Sequence, residues 1–364
     1  MNKKLESIII SLSFILTLFI FMICNIISKD NEISYAERRK LLQLPKLKIE
    51  KLLNGEYFED IEEYLLDQFV FRDEFRKIKS FINLNVFNQK DNNDIYTVDG
   101  GIYKLEYPLN EKSIYNAANI YNKISSTYFK NSNIYYTIVP DKNYFVDEGY
   151  LTLDYDKLID IMKANTKNMD YIDIIKNLKI SSYYKTDLHW NQENILDVAD
   201  TILSDMGNDK KSSDYDVNSF YPFYGSYYGQ SASNINPDTL NYLSNEIINQ
   251  AKVYDFETKK YIKVYEDENF NNIDSYDVFL GGPKSLLQIE NPNNKSTKEL
   301  YVFRDSFGSS LIPLLINEYS KIVVIDLRYI SSSELEKYID PKDGSDVLFM
   351  YNTLILNSSD IISK

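Results

Sequence analysis

The stretch from Leu300 to Tyr351 constrains the fold more than any other part of this chain. It reads as a strand (Leu300–Phe303), a helix (Phe307–Glu318), a strand (Ile322–Asp326), a helix (Ser332–Tyr338) and a strand (Val347–Tyr351). The strand segments are short apolar runs, the pattern of strands buried on both faces. Strands joined through helices run parallel, so this order predicts an α/β fold with a parallel sheet flanked by helices. Pro313 sits inside the first of these helices, where it removes a backbone hydrogen bond and predicts a kink. Upstream, Ile134–Val139 reads as a strand ended by Pro140, and Asn110–Phe129 and Asp154–Ala164 read as helices. Asp99-Gly100 marks a hairpin turn, and residues 253–266 suggest a second hairpin. Tyr171–Lys176 and Asn191–Met206 are further helix expectations, the latter capped by Asn191. Residues 207–237 read as a tyrosine-rich loop region.

The N-terminus has a different character. Ser7 to Ser28 holds no charged residue, and its length suffices to cross a bilayer as one helix. Lys3 and Lys4 precede it, which places the N-terminus in the cytoplasm and the rest of the chain outside. A cleaved signal peptide is the alternative, but the run ends in Cys24-Asn25-Ile26-Ile27-Ser28 rather than in a small-residue cleavage site. Residues 30–48 are polar. Residues 49–88 look helical, with Phe58, Ile61, Leu65 and Phe69, then Phe71, Phe75, Ile78 and Ile82, spaced by three and four. The expected division is an anchor (1–28), a tether with a helical segment (29–94) and an α/β domain (95–364).

Forty basic and 54 acidic residues give a net charge of −14. That balance argues against nucleic acid as a partner and gives the chain as a whole no attraction to an anionic lipid surface. The one cysteine, Cys24, allows no disulfide within the chain. One cysteine and one histidine leave no ordinary zinc ligand set, so no metal is expected.

The single histidine stands in Thr186-Asp187-Leu188-His189-Trp190. Imidazole is the usual acid/base group near neutral pH, so any histidine-dependent chemistry must use His189. Asp187 and His189 fall on one side of an extended segment, which lets the carboxylate orient the ring. Ser306 follows the strand Leu300–Phe303 and opens a helix. The carboxyl edge of a parallel sheet is where open α/β folds place ligands, and the helix N-terminus favours negative charge there. Two uses of Asp305-Ser306 remain open at this point: one is a helix cap, the other a nucleophile. Trp190 either packs in the core or lines an acyl or sugar site.

TDLHWN (186–191) resembles the signature of the DHHW protein family, whose members resemble SGNH hydrolases and are similar to bacterial alginate O-acetyltransferases. RDSFGSSLIPLL (304–315) resembles the family's nucleophile segment. DQFVFRDEF (67–75), VDGGIY (98–103), YTIVPDKNYF (136–145), FYGSYYGQ (223–230), YDVFLGGPK (276–284) and VVIDLRYI (323–330) fit the same pattern. Leu188 replaces the first histidine of Asp-His-His-Trp, and Arg304 stands where a Gly-Asp-Ser motif has glycine.

The resemblance implies Ser306 as nucleophile, His189 as base and Asp187 as its orienter. Backbone N–H groups of Ser306 and of Gly281 or Gly282 are the oxyanion-hole candidates; a tight turn is the other use of the glycine pair. Tyr276 and Arg328 either face substrate or cap the sheet. The implied activity is serine-dependent O-acylation, with acetyl the implied group, of a cell-surface or secreted polysaccharide, without metal or nucleotide cofactor. A membrane-bound O-acyltransferase is then the expected acyl donor. A carbohydrate acetylesterase with the same triad and a non-catalytic glycan-binding scaffold are the alternatives.

Overall fold

The structure is a computed structural model and describes residues 3–35, 37–146, 149–208, 214–233 and 235–362. The chain divides into two compact units. One comprises Met1–Gln89 with Gly229–Asn234, the other Lys90–Tyr228 with Ile235–Lys364.

The first unit begins with a 25-residue helix, Lys3–Ile27, none of whose residues is buried. It is long and apolar enough to cross a membrane. The segment read as one helical run over 49–88 is broken into Ile49–Asn54, Glu56–Asp67 and Arg72–Phe81, followed by a π-helical turn, Ile82–Val86. The first break is Gly55 at φ +89°, a left-handed helix terminus that glycine adopts without steric cost. Polar contacts hold this unit together. The Arg39 guanidinium donates to both Asp67 oxygens (2.8 and 2.5 Å), and Leu42 N–H donates to the same carboxylate. These bonds, that of Arg39 first, hold the Asp67 carboxyl down at about 2.

The second unit is built on an eight-stranded sheet. Its strands in chain order are β1 (Asn133–Val139), β2 (Asp170–Tyr171), β3 (Lys252–Asp255), β4 (Lys260–Ile262), β5 (Leu286–Glu290), β6 (Glu299–Arg304), β7 (Lys321–Ile325) and β8 (Asp346–Asn352). The spatial order is β4-β3-β5-β7-β6-β8-β1-β2. From β7 to β2 every pairing is parallel, as expected. β5 enters antiparallel between β7 and β3, and β4 pairs antiparallel with β3.

Side-chain alternation along β6 shows how the sheet is covered. Leu300 and Val302 join one apolar core, and Tyr301 and Phe303 join the other. Helices α1 (Glu111–Tyr128) and α2 (Tyr155–Asn165) fill the second core, through Ile114, Tyr121, Leu158 and Met162. Helices α3 (Leu196–Asp205) and α4 (Phe307–Leu315) fill the first, through Val198, Ile202, Leu311 and Leu315.

Several local expectations are corrected. Tyr171–Lys176 is not a helix, because Tyr171 ends β2 and a 3-10 turn follows at Ile175–Asn177. Ser332–Tyr338 is only a 3-10 segment, Ser332–Lys337. Asn191 does not cap α3: a 3-10 turn, Gln192–Asn194, intervenes and Ile195 stands at the cap. The loop region 207–237 contains the strand Asp216–Phe223, paired with Asp238–Ser244, and a short helix, Ser226–Ser231. Pro313 lies within α4, which passes into a 3-10 turn at Ile316–Glu318.

Candidate active site

β6 ends at Arg304, and α4 starts at Phe307. Between them Asp305 takes the capping role. Its Oδ1 accepts the Phe307 N–H (2.9 Å) and its Oδ2 accepts the Asn352 N–H at the end of β8 (2.6 Å). Burial pushes the Asp305 carboxyl up against these bonds and the nearby Arg328 charge. Ser306 is thereby left free of capping: its side chain makes no helix-cap bond, and its backbone (φ −63°, ψ −23°) is relaxed.

The Ser306 Oγ lies 2.7 Å from His189 Nε2, and His189 Nδ1 lies 2.5 Å from Asp187 Oδ1. Asp187 and His189 are both buried. The segment is not the extended strand expected. Asp187 Oδ1 also accepts the His189 backbone N–H (2.9 Å), which closes a tight turn. Carboxylate and imidazole are thus fixed to one another locally, while the serine arrives from 117 residues away.

Residues beyond the three hold this turn in place. The Lys142 ammonium donates to the carbonyls of Tyr184 (2.9 Å), Lys185 (3.2 Å) and Asp187 (2.9 Å). It sits over the rings of Tyr103 and Tyr227, at 4.8 and 5.4 Å. Burial pulls its pKa down to about 7, although Asp187, Asp238 and Asp141 favour the charge. Asp238 accepts the backbone N–H groups of Lys185 (3.0 Å) and Thr186 (2.8 Å). Ser226 N–H donates to Asp187 Oδ2 (2.5 Å). Gly225 makes that approach possible: a Cβ on it would stand 2.3 Å from the Asp187 Cβ and 2.4 Å from the Thr186 carbonyl oxygen. Reading the sequence did not single out Lys142, Gly225 or Ser226. The only signal was their place within YTIVPDKNYF and FYGSYYGQ.

The other expected site residues fall in different places. Trp190 is fully buried, so it does not line an acyl or sugar site. Its Nε1–H donates to Ser310 Oγ (2.8 Å) and to the Phe307 carbonyl (3.1 Å) on α4. Tyr276 is also buried. Its ring lies flat on the His189 ring (centroids 3.8 Å apart, 5° between planes), and its hydroxyl donates to the same Ser310 Oγ (2.8 Å). The helix that opens with Ser306 therefore also anchors the two aromatic side chains that flank the histidine. Gly281 and Gly282 both have positive φ, and the Gly282 N–H donates to the Phe279 carbonyl, as in a turn. Arg328 clamps Asp326 through Nε (2.9 Å) and Nη2 (2.7 Å). Asp326 Oδ2 also lies 3.7 Å from the fully buried Arg304 guanidinium.

The fold is SGNH-hydrolase-like, a parallel-rich sheet flanked by helices, and Ser306, His189 and Asp187 line up at the carboxyl edge of its central strand β6. The sequence model of the DHHW protein family matches residues 156–325, so the family recognised in the sequence is the family matched. Among solved structures, a DHHW family protein from Eubacterium siraeum has the same fold, with a TM-score of 0.62 and 22% identity, covering 75% of this chain and 95% of that one. Bacillus cereus PatB1 is similar, with a TM-score of 0.61 and 17% identity over 73% of this chain and 97% of that one. So is PatB1 with a sulfonyl adduct, with a TM-score of 0.58 and 18% identity over 72% and 97%. A comparison with functionally curated proteins found no match.

Proposed function

We propose that this chain is a membrane-anchored O-acyltransferase that acetylates a polysaccharide hydroxyl through an acyl-Ser306 intermediate. The observation that carries the reading is the continuous hydrogen-bond chain from Ser306 through His189 to Asp187. Nε2 takes the Ser306 proton as Oγ attacks the acyl carbonyl, while Asp187 holds the Nδ1–H and stabilises the imidazolium. Backbone N–H groups at the start of α4, that of Ser306 first, receive the oxyanion. The imidazolium returns its proton to the departing donor oxygen, leaving the ester on Ser306. A polysaccharide hydroxyl then gives its proton to Nε2 and attacks the ester carbonyl, and Ser306 recovers its hydrogen.

The structure of PatB1 with a sulfonyl adduct supports the reading, because sulfonyl reagents capture nucleophiles. In this chain Ser306 is the hydroxyl set against an imidazole. The apolar helix Lys3–Ile27 supports an anchor over residues 1–28, with residues 29–94 as tether and helical segment and the α/β domain (95–364) outside the cell. A membrane-bound O-acyltransferase then supplies the acyl group.

The test is intact-protein mass spectrometry of the full chain exposed to an activated acetyl ester. Wild type gains one acetyl group. Ser306→Ala gains none, and His189→Ala slows the gain by on the order of 10⁴-fold or more. An adduct of equal yield on Ser306→Ala overturns the assignment.

A further inference from the structure

The helix Arg72–Phe81 and the turn after it are amphipathic, yet most of their apolar side is exposed, Phe75 alone of the stripe packing on Phe21 and Phe69. Phe71, Phe75, Ile78 and Ile82, spaced by four, three and four, are 58%, 44%, 53% and 37% exposed. Phe81, Val86 and Phe87 are exposed as well. Ser80 is the one buried residue of the helix. A water-soluble helix with such a stripe lays it on a core, as α1 does.

Three further observations say what covers the stripe. The first is depth. Phe69 and Phe75 pack on Phe21 of the apolar helix, with ring centroids 5.9 and 5.7 Å away. Phe21 lies six residues before the end of that helix at Ile27, hence about 9 Å below its end at 1.5 Å per residue. An interfacial helix sinks its apolar face roughly 5–10 Å into the boundary between headgroups and acyl chains.

The second is the fate of the polar groups at that level. Asn25 donates to the Phe21 carbonyl (2.8 Å) and accepts the Val70 N–H (2.9 Å). These bonds satisfy backbone and side chain internally, as a lipid environment demands.

The third is charge. Residues 71–87 hold Arg72, Arg76, Lys77 and Lys79 against Asp73 and Glu74, a basic stretch in a chain of net charge −14, with Glu37 paired to Arg72 and Arg76. Leu66, Phe69 and Phe75 form the apolar part of an open groove of about 550 Å³, and Arg72, Arg76 and Lys79 supply its cations. That pairing suits an acyl chain below an anionic phosphate.

We propose that residues 71–87 lie in the headgroup interface of an anionic bilayer, on the side where Lys3–Ile27 emerges. The surface rests on the anchor reading above and extends it: the membrane holds the chain by a helix that crosses it and by a second helix lying along it. The whole-chain charge gives no such attraction, so the contact is local to this stretch.

The experiment uses the full chain with Cys24→Ser and Ile78→Cys, labelled with an environment-sensitive fluorophore. Phe81→Cys serves as a second position, and both sites are exposed enough to accept a label. The protein is reconstituted into phosphatidylglycerol–phosphatidylcholine vesicles, and flotation is scored first. Lipids carrying a quencher high on the acyl chain and aqueous iodide are then compared, with a label at Lys157→Cys as the water-exposed reference. The expected result is flotation, strong quenching by the lipid quencher and protection from iodide at 78 and 81, with the reverse at 157. Flotation with iodide quenching at 78 and 81 overturns the proposal while leaving the anchor intact. Flotation with protection from both quenchers also overturns it, because protein then covers the stripe. Failure to float removes the anchor, and the proposal with it.

Discussion

In α1, Ile114, Ala117, Tyr121 and Ile124 recur at spacings of three and four, and all are buried. In residues 71–82, Phe71, Phe75, Ile78 and Ile82 recur at the same spacings, and all are open. The periodicity is of one kind, and in each case it yields helix. The difference lies in what the chain provides to cover the apolar side. α1 faces a sheet whose β6 and β8 present Tyr301, Phe303, Phe349 and Tyr351 to it. Arg72–Phe81 carries six charged residues in ten, and the sheet of its unit, among the described residues, is only the two-residue pair Ile33–Ser34 with Arg39–Lys40. Spacing thus specifies an element, and the composition of the opposite face, with the neighbouring elements, specifies its solvent.

The two units also differ in how polar groups are used, and that difference can be broken by mutation. The largest effect is expected at Lys142. Its ammonium is buried and satisfies three carbonyls of the 184–187 turn. Lys142→Met takes the donor from the Tyr184 and Asp187 carbonyls, while the Lys185 carbonyl keeps the Ile102 N–H, so chemical denaturation of the second unit should show a loss of about 3–5 kcal/mol. A loss below 1 kcal/mol would mean that the turn holds itself. Next in size is Gly225→Ala. The new methyl overlaps the Asp187 Cβ and the backbone of Thr186 and Asp187, so the dyad and its turn must shift. Single-turnover acylation of Ser306 should slow by on the order of 10²-fold, the scale of a displacement of about 1 Å, and the melting transition should fall with it. An unchanged rate would show that the dyad tolerates displacement.

The smallest effect is expected in the first unit, where the Arg39–Asp67 pair lies nearer to solvent. The Asp67 carboxyl is held at about 2, below its ordinary value of 3.8. A lowered carboxyl contributes stability that is fully present above the ordinary value and is lost as pH falls toward 2. The protection factors of residues 39–42 and 56–67, with the slowing of intrinsic amide exchange by acid divided out, should therefore fall between pH 4 and pH 2. Asp67→Asn should show the lowered protection at pH 5 already. Protection factors that do not change with pH would transfer the stability of this unit to its apolar contacts.

Much of the candidate site was legible in the sequence because its signals are local. The Asp187-x-His189 spacing and the strand–Asp305-Ser306–helix exit each lie within a few residues, although a side-chain-closed turn, rather than the alternation of an extended segment, brings Asp187 to His189. Lys142, Gly225 and Ser226 carried no comparable signal, because their roles exist only once β1 and the turn at 225 have been brought against the 184–189 segment. β5 was missed for a similar reason. LLQIE is too short to stand out, and its antiparallel place between β7 and β3 follows from sheet pairing rather than from any crossover helix. Trp190 was assigned two uses, and the fold selected the core because the indole N–H finds Ser310 and Phe307 on α4.

One consequence of this arrangement is spectroscopic. The chain has a single histidine and a single tryptophan, adjacent in sequence and both tied to α4. Signals that in most proteins average over many sites here come from one place. Every imidazole resonance reports His189, displaced by the ring current of Tyr276 lying 3.8 Å away. Every indole emission change reports the helix that opens with Ser306. The unmodified chain therefore carries two built-in observers of the Ser306–His189–Asp187 hydrogen-bond chain, and neither needs a label.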